Sequence, residues 1–176
     1  CELDGYASDI TRTFPANGKF TGPQRDLYNL VLASQDAAVA ATKAGARFTD
    51  PHEATVKVLA QGLLDLGLLS KAKHGNAQDV IEKRAYFSYY MHRTSHWLGM
   101  DVHDCGSYVE PTELGQTSAR QDPLSGETIV NRPSRILREG MVLTIEPGLY
   151  VRPADDVPEA FWNIGIRIED DAIVTA

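Results

Sequence analysis

The chain has 176 residues, of which 43% are hydrophobic, and a net charge of −7, values that suit one globular domain with a sizeable core. It has no apolar run of about eighteen residues that would span a membrane, and no run of Lys and Arg that would indicate nucleic acid or an anionic membrane as a partner. Two cysteines, Cys1 and Cys105, are too few for a disulfide framework and favour a reducing compartment, so we expect a cytoplasmic protein.

The first residues show no initiator methionine and no signal peptide, and they already alternate as a strand does. We therefore expect the chain to be part of a longer protein, in which case its start says nothing about location. In the segment YASDITRTF, the side chains of Asp9, Thr11 and Thr13 share one face of the predicted strand.

Two helices are predicted after a turn-rich link, PANGKFTGP. The first covers residues 24–44, where apolar side chains recur at helical spacing, and it ends at Gly45. The second begins at an N-cap, Thr49 or Asp50, and ends at Gly67.

The second half of the chain predicts strands. Residues 86–110 have the pattern of short strands and turns, and residues 109–134 are polar and rich in Gly, Pro and Ser, typical of a surface insertion or long hairpin. A strand broken at Pro147 and Gly148 follows in GMVLTIEPGLYV, and a last alternating strand in NIGIRIEDDAIVTA. Helices followed by strands predict an α+β fold.

Three of the five histidines, His92, His96 and His103, lie close together in the sequence. His92 and His96 have the spacing of an HExxH zinc helix, but Arg93 stands where that motif needs its glutamate, and Gly99 argues against a helix. A group of three leaves two interpretations open, a functional site or ordinary hydrogen-bonded residues of the core and surface.

Three acids lie in the most strand-like segments: Asp9, Glu146 and Glu169, the last with Arg167 on its side of the strand. A solvated surface position is the plain alternative for each. However, buried carboxylates are costly unless they are paired or bind a metal. Together with one histidine they form an oxygen-rich set, which suits Mn²⁺, Co²⁺ or Zn²⁺ better than a structural zinc site.

At this point the chain resembles a known family, the proline-specific pita-bread metallopeptidases, and most closely aminopeptidase P. The matching stretches, in the family's order, are GYASDITRTFP, GKFTGPQRDLYNLVL, MHRTSHWLGMDVHD, GMVLTIEPGLY and NIGIRIEDD. The resemblance implies a pita-bread (creatinase/aminopeptidase) fold, with helices packed on a curved, mostly antiparallel sheet. Residues 1–176 would be the C-terminal part of the catalytic domain, without its N-terminal portion and with an insertion at about 109–134.

The resemblance also implies two divalent metal ions, manganese first, with cobalt or zinc as alternatives. Asp9 and Glu169 would bridge the two ions, and His96 and Glu146 would complete the first. The family has a further metal aspartate, which would stand upstream of Cys1, and Asp4 lies on the wrong face to replace it. We therefore expect these 176 residues alone to bind at most one ion tightly and to be poorly active or inactive.

Three more residues receive roles from the resemblance. His92 and His103 would contact the substrate and stabilise the developing oxyanion or the departing amine. Arg167 would hold Glu169 in place by charge pairing.

The function implied is hydrolysis of the N-terminal Xaa-Pro bond of peptides by a metal-activated water. A prolidase, specific for Xaa-Pro dipeptides, is the nearest alternative, and a metal-free, creatinase-like member of the fold is a further one, which the intact ligand set disfavours. The expected partners are a peptide with proline at its second position, the upstream part of the same protein and further copies of the chain, without nucleic acid or membrane.

Overall fold

The structure is a computed structural model that describes residues 1–175. Both predicted long helices are present, α1 over Gly22–Ala41 and α2 over Asp50–Asp65. Helix α1 begins with a capping box, in which Thr21 and Gln24 bond each other's backbone N–H groups. Two short helices follow: α3 at Lys71–His74 and α4 at Ala77–Glu82.

Helix α1 ends three residues before the predicted position. The backbone N–H and the hydroxyl of Thr42 both bond the carbonyl of Ala38, which closes the last turn. The chain then turns at Gly45, which has a positive φ of 84° and donates its N–H to the carbonyl of Leu137. A helix continued to residue 44 would not allow this contact with the sheet side of the molecule.

Within residues 1–175, the strands form four antiparallel pairs. The first pair is β1 with β2, and the second is the hairpin of β3 with β4. The other two pairs, β5 with β8 and β6 with β7, follow one another along the same two segments of chain, and we call them together the C-terminal ribbon. The strand bounds are Glu2–Leu3, Tyr6–Ala7, Ser118–Gln121, Thr128–Asn131, Val142–Ile145, Gly148–Tyr150, Gly165–Arg167 and Asp170–Ile173 for β1 to β8.

The strand predicted across residues 6–14 is wrong in its extent. Regular pairing stops at Ala7, and beyond it the chain meets the ribbon through one isolated bridge, between Thr11 and Glu169. The reason is that the backbone N–H of Asp9 bonds the carboxylate of Asp171 and not a ladder carbonyl. The predicted alternation nevertheless holds, because Asp9, Thr11 and Thr13 are half-buried and the residues between them are exposed.

The strands predicted within residues 86–110 are also wrong. A 3₁₀ turn at Ala85–Ser88 is followed by loops without a regular strand, which join other segments through isolated bridges at Trp97 and Val109 and through backbone hydrogen bonds to residues 142–146. Trp97 is buried and stacks on Tyr108, so it packs in the core.

The polar segment 109–134 contains the predicted hairpin, which is fixed to the rest of the chain. Arg47 makes a bidentate ion pair with Glu113, at 2.8 and 3.0 Å, and Arg84 pairs with Asp122. Charged side chains therefore hold the hairpin over the first turn of α2 and over the 3₁₀ turn. Its status as an insertion relative to compact relatives stays a prediction.

The main hydrophobic core lies between α1, α2 and the C-terminal ribbon. Its members are fully buried leucines, isoleucines, valines and tyrosines, and burying one such aliphatic side chain contributes about 1.5–3 kcal/mol. Leu27 and Val31 of α1, Leu59 and Leu63 of α2, and Leu149 and Ile166 of the ribbon are among them. Within residues 1–175, no helix is both long and apolar enough to cross a membrane.

Candidate metal centre

The C-terminal ribbon is interrupted once, at the same level in both of its segments. Ile145 stands opposite Asp170, and Gly148 opposite Arg167, so the register is the same on both sides of the break. This register places Glu146 opposite Glu169 within the break. Like charges directly opposite each other destabilise a strand pair, so this position needs a compensating charge.

The break has a simple backbone cause. Pro147 has no N–H to donate, although its carbonyl accepts the N–H of Ile168 at 3.2 Å. Both glutamates therefore bond to other parts of the chain, Glu146 through its N–H to the carbonyl of Thr94 and Glu169 through an antiparallel bridge to Thr11. The loop before His96 and the segment after Asp9 are thereby brought to the break.

His96 points its free nitrogen at two of the predicted ligands. Its Nδ1 lies 2.9 Å from the carbonyl of Trp97, which fixes Nδ1 as the protonated nitrogen and leaves a lone pair on Nε2. Nε2 lies 3.5 Å from Oδ2 of Asp9 and 3.4 Å from Oε1 of Glu146. Metal-binding histidines are commonly oriented in this way by a carbonyl behind the ring.

The four predicted metal ligands lie in one place. Donor atoms of His96, Glu146 and Glu169 lie within 4.8 Å of one another, and so do those of Asp9, His96 and His103. The exposed ring of His103 stands edge-on to that of His96, with 4.2 Å between the centroids.

The charges of the site fit a cation. Burial and the neighbouring Glu169 raise the pKa of Glu146 to about 7, although His96 and Arg167 oppose this rise. Glu169 is only 1% exposed. The Arg167 guanidinium lies 3.8 Å from Glu146 and 3.6 Å from Glu169, so one positive charge faces the carboxylates. With Asp9 they form a negative, oxygen-rich cluster with one imidazole nitrogen, the donor set that divalent ions of the Mn²⁺ and Zn²⁺ type bind.

Sequence reasoning missed Thr11. Its hydroxyl donates to Oε2 of Glu169 and lies 3.2 Å from Nε of Arg167, so it joins the buried acid to its counter-charge. The available signal was position, since Thr11 lies two residues after Asp9 and shares its face in an extended chain.

Sequence reasoning also missed Thr144, which lies two residues from a predicted ligand as Thr11 does. Its hydroxyl accepts the N–H of His96 at 3.1 Å and lies 3.3 Å from Oε1 of Glu146, so it ties a histidine and an acid together. It stands two residues before Glu146 and is fully buried, on the face of β5 that points to the site.

Both ring nitrogens of His92 make hydrogen bonds. Nδ1 lies 2.7 Å from the carbonyl of Arg93 and therefore donates a hydrogen bond to it. Nε2 is then the acceptor of a hydrogen bond from the hydroxyl of Tyr150, at 3.0 Å. Burial lowers the pKa of His92, which keeps the ring neutral near pH 7. Tyr150 was not predicted, because nothing local connects it to His92.

An open cavity of about 780 Å³ lies beside the cluster. Asp9 and Glu169 lie behind its wall and do not line it. The predicted residues that line it are His92, His96, His103, Glu146 and Arg167.

The fold and this donor set fit a domain that binds divalent metal ions. The family model of metallopeptidase family M24 matches residues 1–176, so the chain belongs to this family. An Xaa-Pro aminopeptidase of Haemophilus influenzae is 42% identical over 175 residues, which are 99% of this chain but 35% of that protein. The chain thus spans about a third of the length of the curated relatives it matches.

Solved structures support the same family assignment. Aminopeptidase PepP of Pseudomonas aeruginosa superposes with a TM-score of 0.82 at 44% identity, and the zinc-substituted Escherichia coli aminopeptidase P in complex with product with 0.80 at 43%. Each match covers 99% of this chain and 34% of the other. The predicted α+β pita-bread fold and the resemblance to aminopeptidase P are confirmed.

Proposed function

We propose that the protein is a metallo-aminopeptidase that hydrolyses the N-terminal Xaa-Pro bond of peptides. The observation that carries the proposal is the convergence of Asp9, His96, Glu146 and Glu169 beside a cavity large enough for several residues of peptide. The similarity of this chain to Xaa-Pro aminopeptidases supports the choice of substrate.

We further propose two divalent metal ions, with manganese as the native metal and cobalt or zinc as substitutes. Asp9 and Glu169 would bridge them, and His96 and Glu146 would complete the first. Such ions polarise a carbonyl group and make water a nucleophile at neutral pH. Arg167 sits between the two glutamates and favours their ionised, metal-binding form.

The histidines supply the contacts to the reacting peptide. When water adds to the carbonyl carbon, negative charge develops on the oxygen, and when the C–N bond breaks, the proline nitrogen needs a proton. His103 stands exposed at the cavity wall and can donate to either atom. His92 is fixed as a neutral ring whose Nε2 accepts a hydrogen bond from the hydroxyl of Tyr150, so it serves as a positioning residue at the cavity wall.

The test compares an Xaa-Pro-Yaa-Zaa peptide, its Xaa-Ala-Yaa-Zaa counterpart and the Xaa-Pro dipeptide on the metal-loaded full-length protein, with metal content measured by mass spectrometry. We expect release of the first residue from the proline tetrapeptide, much slower cleavage of the alanine peptide, and two ions per active site. Faster cleavage of the dipeptide would favour a prolidase. Tight peptide binding without metal or cleavage would favour the creatinase-like alternative.

We also propose a cytoplasmic location, which the free, exposed state of Cys1 and Cys105 supports. Assembly into a homo-oligomer stays a prediction that sedimentation of the purified protein would check.

A further inference from the structure

Three arginines that are distant in sequence meet around the cavity of the metal centre. Arg93 lines this cavity and two adjoining ones, of about 530 and 630 Å³. Arg120, from strand β3, lines both adjoining cavities, and Arg132, just after β4, lines the larger of them together with the central cavity. We call these three residues the arginine rim.

Among the described residues, the guanidinium groups of the arginine rim are unpaired. Within residues 1–175, none of the three guanidinium groups makes an ion pair or a side-chain hydrogen bond. The two other arginines that line the adjoining cavities differ, because Arg47 is paired with Glu113 and Arg84 with Asp122.

Within residues 1–175, the acidic side chains that line the adjoining cavities form no ion pair with the rim. Asp50 accepts the backbone N–H of Arg47 at 2.8 Å, and Glu82 accepts the amide of Gln78 at 2.9 Å. Glu53 is exposed and makes no ion pair within the described residues. The guanidinium N–H groups of the rim therefore remain free to bind a carboxylate, in cavities that also carry these three acidic side chains.

The charge of Arg93 also affects the pKa of a neighbouring histidine, His52. His52 lines all three cavities, and its Nδ1 lies 2.9 Å from the hydroxyl of Thr94. Burial lowers its pKa to about 4, with Arg93 as the next contribution and His92 and Arg84 adding to it. His52 is therefore neutral at pH 7, and it adds no positive charge to that of the arginines.

We propose that the arginine rim binds the side-chain carboxylate of an acidic residue downstream of the scissile bond, so that the protein prefers Xaa-Pro peptides with Asp or Glu at the third or fourth position. The inference rests on the proposed function. An extended peptide advances about 3.3 Å per residue, so a residue two or three places beyond the cleaved bond passes from the metal centre into the reach of Arg93. Guanidinium groups bind carboxylates with fork-like pairs of hydrogen bonds.

The experiment uses four-residue peptides with amidated C-termini, Xaa-Pro-Glu-Ala and Xaa-Pro-Gln-Ala, which differ only in charge, and the free-acid form of the second. We expect kcat/KM for the Glu peptide to exceed that for the Gln peptide by about two- to fivefold for each exposed arginine engaged, mainly through KM. Raising the salt to about 0.5 M should remove most of the difference.

The variants are Arg93→Gln and Arg120→Gln, each measured alone and together. Arg93→Gln keeps the backbone carbonyl that orients His92, and the ratio of kcat/KM for the Glu peptide to kcat/KM for the Gln peptide should fall. Arg120→Gln lies on the hairpin, away from the histidines, and should lower the same preference. Arg25→Gln, an exposed position on helix α1 outside the three cavities, is the matched control and should leave the preference unchanged.

The outcomes separate the two proposals. If the protein cleaves the Gln peptide but treats Glu no better, the arginine rim is overturned and the peptidase function stands. If Arg25→Gln lowers the preference as much as Arg93→Gln does, a long-range field explains it and the rim is again overturned. A preference for the free acid over the amide, without one for Glu, would overturn the side-chain assignment in favour of the C-terminal carboxylate. If no peptide is cleaved, the proposed function fails, and the rim is still decided by binding, because equal affinity for the two amides would overturn it.

Discussion

Replacing Thr11 by valine would test how the buried acid of the metal centre is held. The hydroxyl of Thr11 donates to Oε2 of Glu169 and contacts Nε of Arg167 at 3.2 Å. Valine has nearly the same shape but no hydroxyl, so Thr11→Val removes these polar contacts and leaves the packing almost unchanged.

The size of the effect follows from the burial of Glu169. Because this side chain is 1% exposed, water cannot easily replace the lost donor. A hydrogen bond to a charged group contributes about 1.5–3 kcal/mol, and loss of a partner behind a metal ligand typically weakens metal binding about 10- to 100-fold. The two ranges agree, since a tenfold change in affinity is about 1.4 kcal/mol.

Competition with a chelating dye would measure the metal affinity of the Thr11→Val protein. Thr13→Val is the matched control, because the hydroxyl of Thr13 bonds only the backbone of Arg167, at 2.8 and 3.2 Å. We expect the control to lower the free energy of unfolding by about 1 kcal/mol and to leave the metal affinity unchanged. Equal metal affinities in the two variants would refute the role given to Thr11.

The remaining predictions concern the histidines and Glu146. His96→Ala should lose metal, whereas His103→Ala should keep its metal and lose turnover by about 10²- to 10³-fold, as for the loss of one oxyanion donor. Metal analysis and kcat distinguish the two variants. The opposite pattern would mean that the two histidines have exchanged roles. Glu146→Gln should remove metal and activity together, so a variant with full metal content and normal turnover would show that the proposed ligand set is wrong. His52, with its pKa lowered to about 4, should reduce the free energy of unfolding as the pH falls from about 6.5 towards 4, by up to about 3 kcal/mol, because only the unfolded chain then takes up the proton. Denaturant titrations at about pH 7 and about pH 4.5 should show a smaller loss in His52→Gln, and an equal loss would contradict the burial of a neutral His52.

Much of the fold could be predicted because its signals are local. The capping box of Thr21 and Gln24 and the left-handed glycines after each long helix act within a few residues, so both helices were found. The break in the ribbon was found for the same reason, since Pro147 has no N–H whatever surrounds it. The strand over residues 6–14 was overextended because its pattern of exposure is that of a strand, while its hydrogen bonds depend on Asp171, far along the chain.

The candidate site shows the same difference between local signals and contacts that are distant in sequence. The ligand set came from acids in strand-like segments and from the family resemblance, and the structure brings all four residues together. The partners that orient them were missed, because a threonine hydroxyl or a tyrosine has no motif of its own. The contact of Thr11 with Glu169 spans 158 positions of sequence, and that of His92 with Tyr150 spans 58.

The register of the ribbon explains why the proposed ligands Glu146 and Glu169 lie together with Arg167. Glu146 and Glu169 are cross-strand neighbours, and two carboxylates opposite each other would weaken any ordinary strand pair. Arg167 lies on the same face as Glu169, two residues earlier, so its single charge reaches both acids. Burial of Glu146, together with the charge of Glu169, outweighs that single positive charge, and the raised pKa of Glu146 is the consequence. A divalent ion among these donors would remove the repulsion and restore the ordinary acidity of Glu146, so the arrangement that is costly for the bare ribbon is favourable for the metal-bound one.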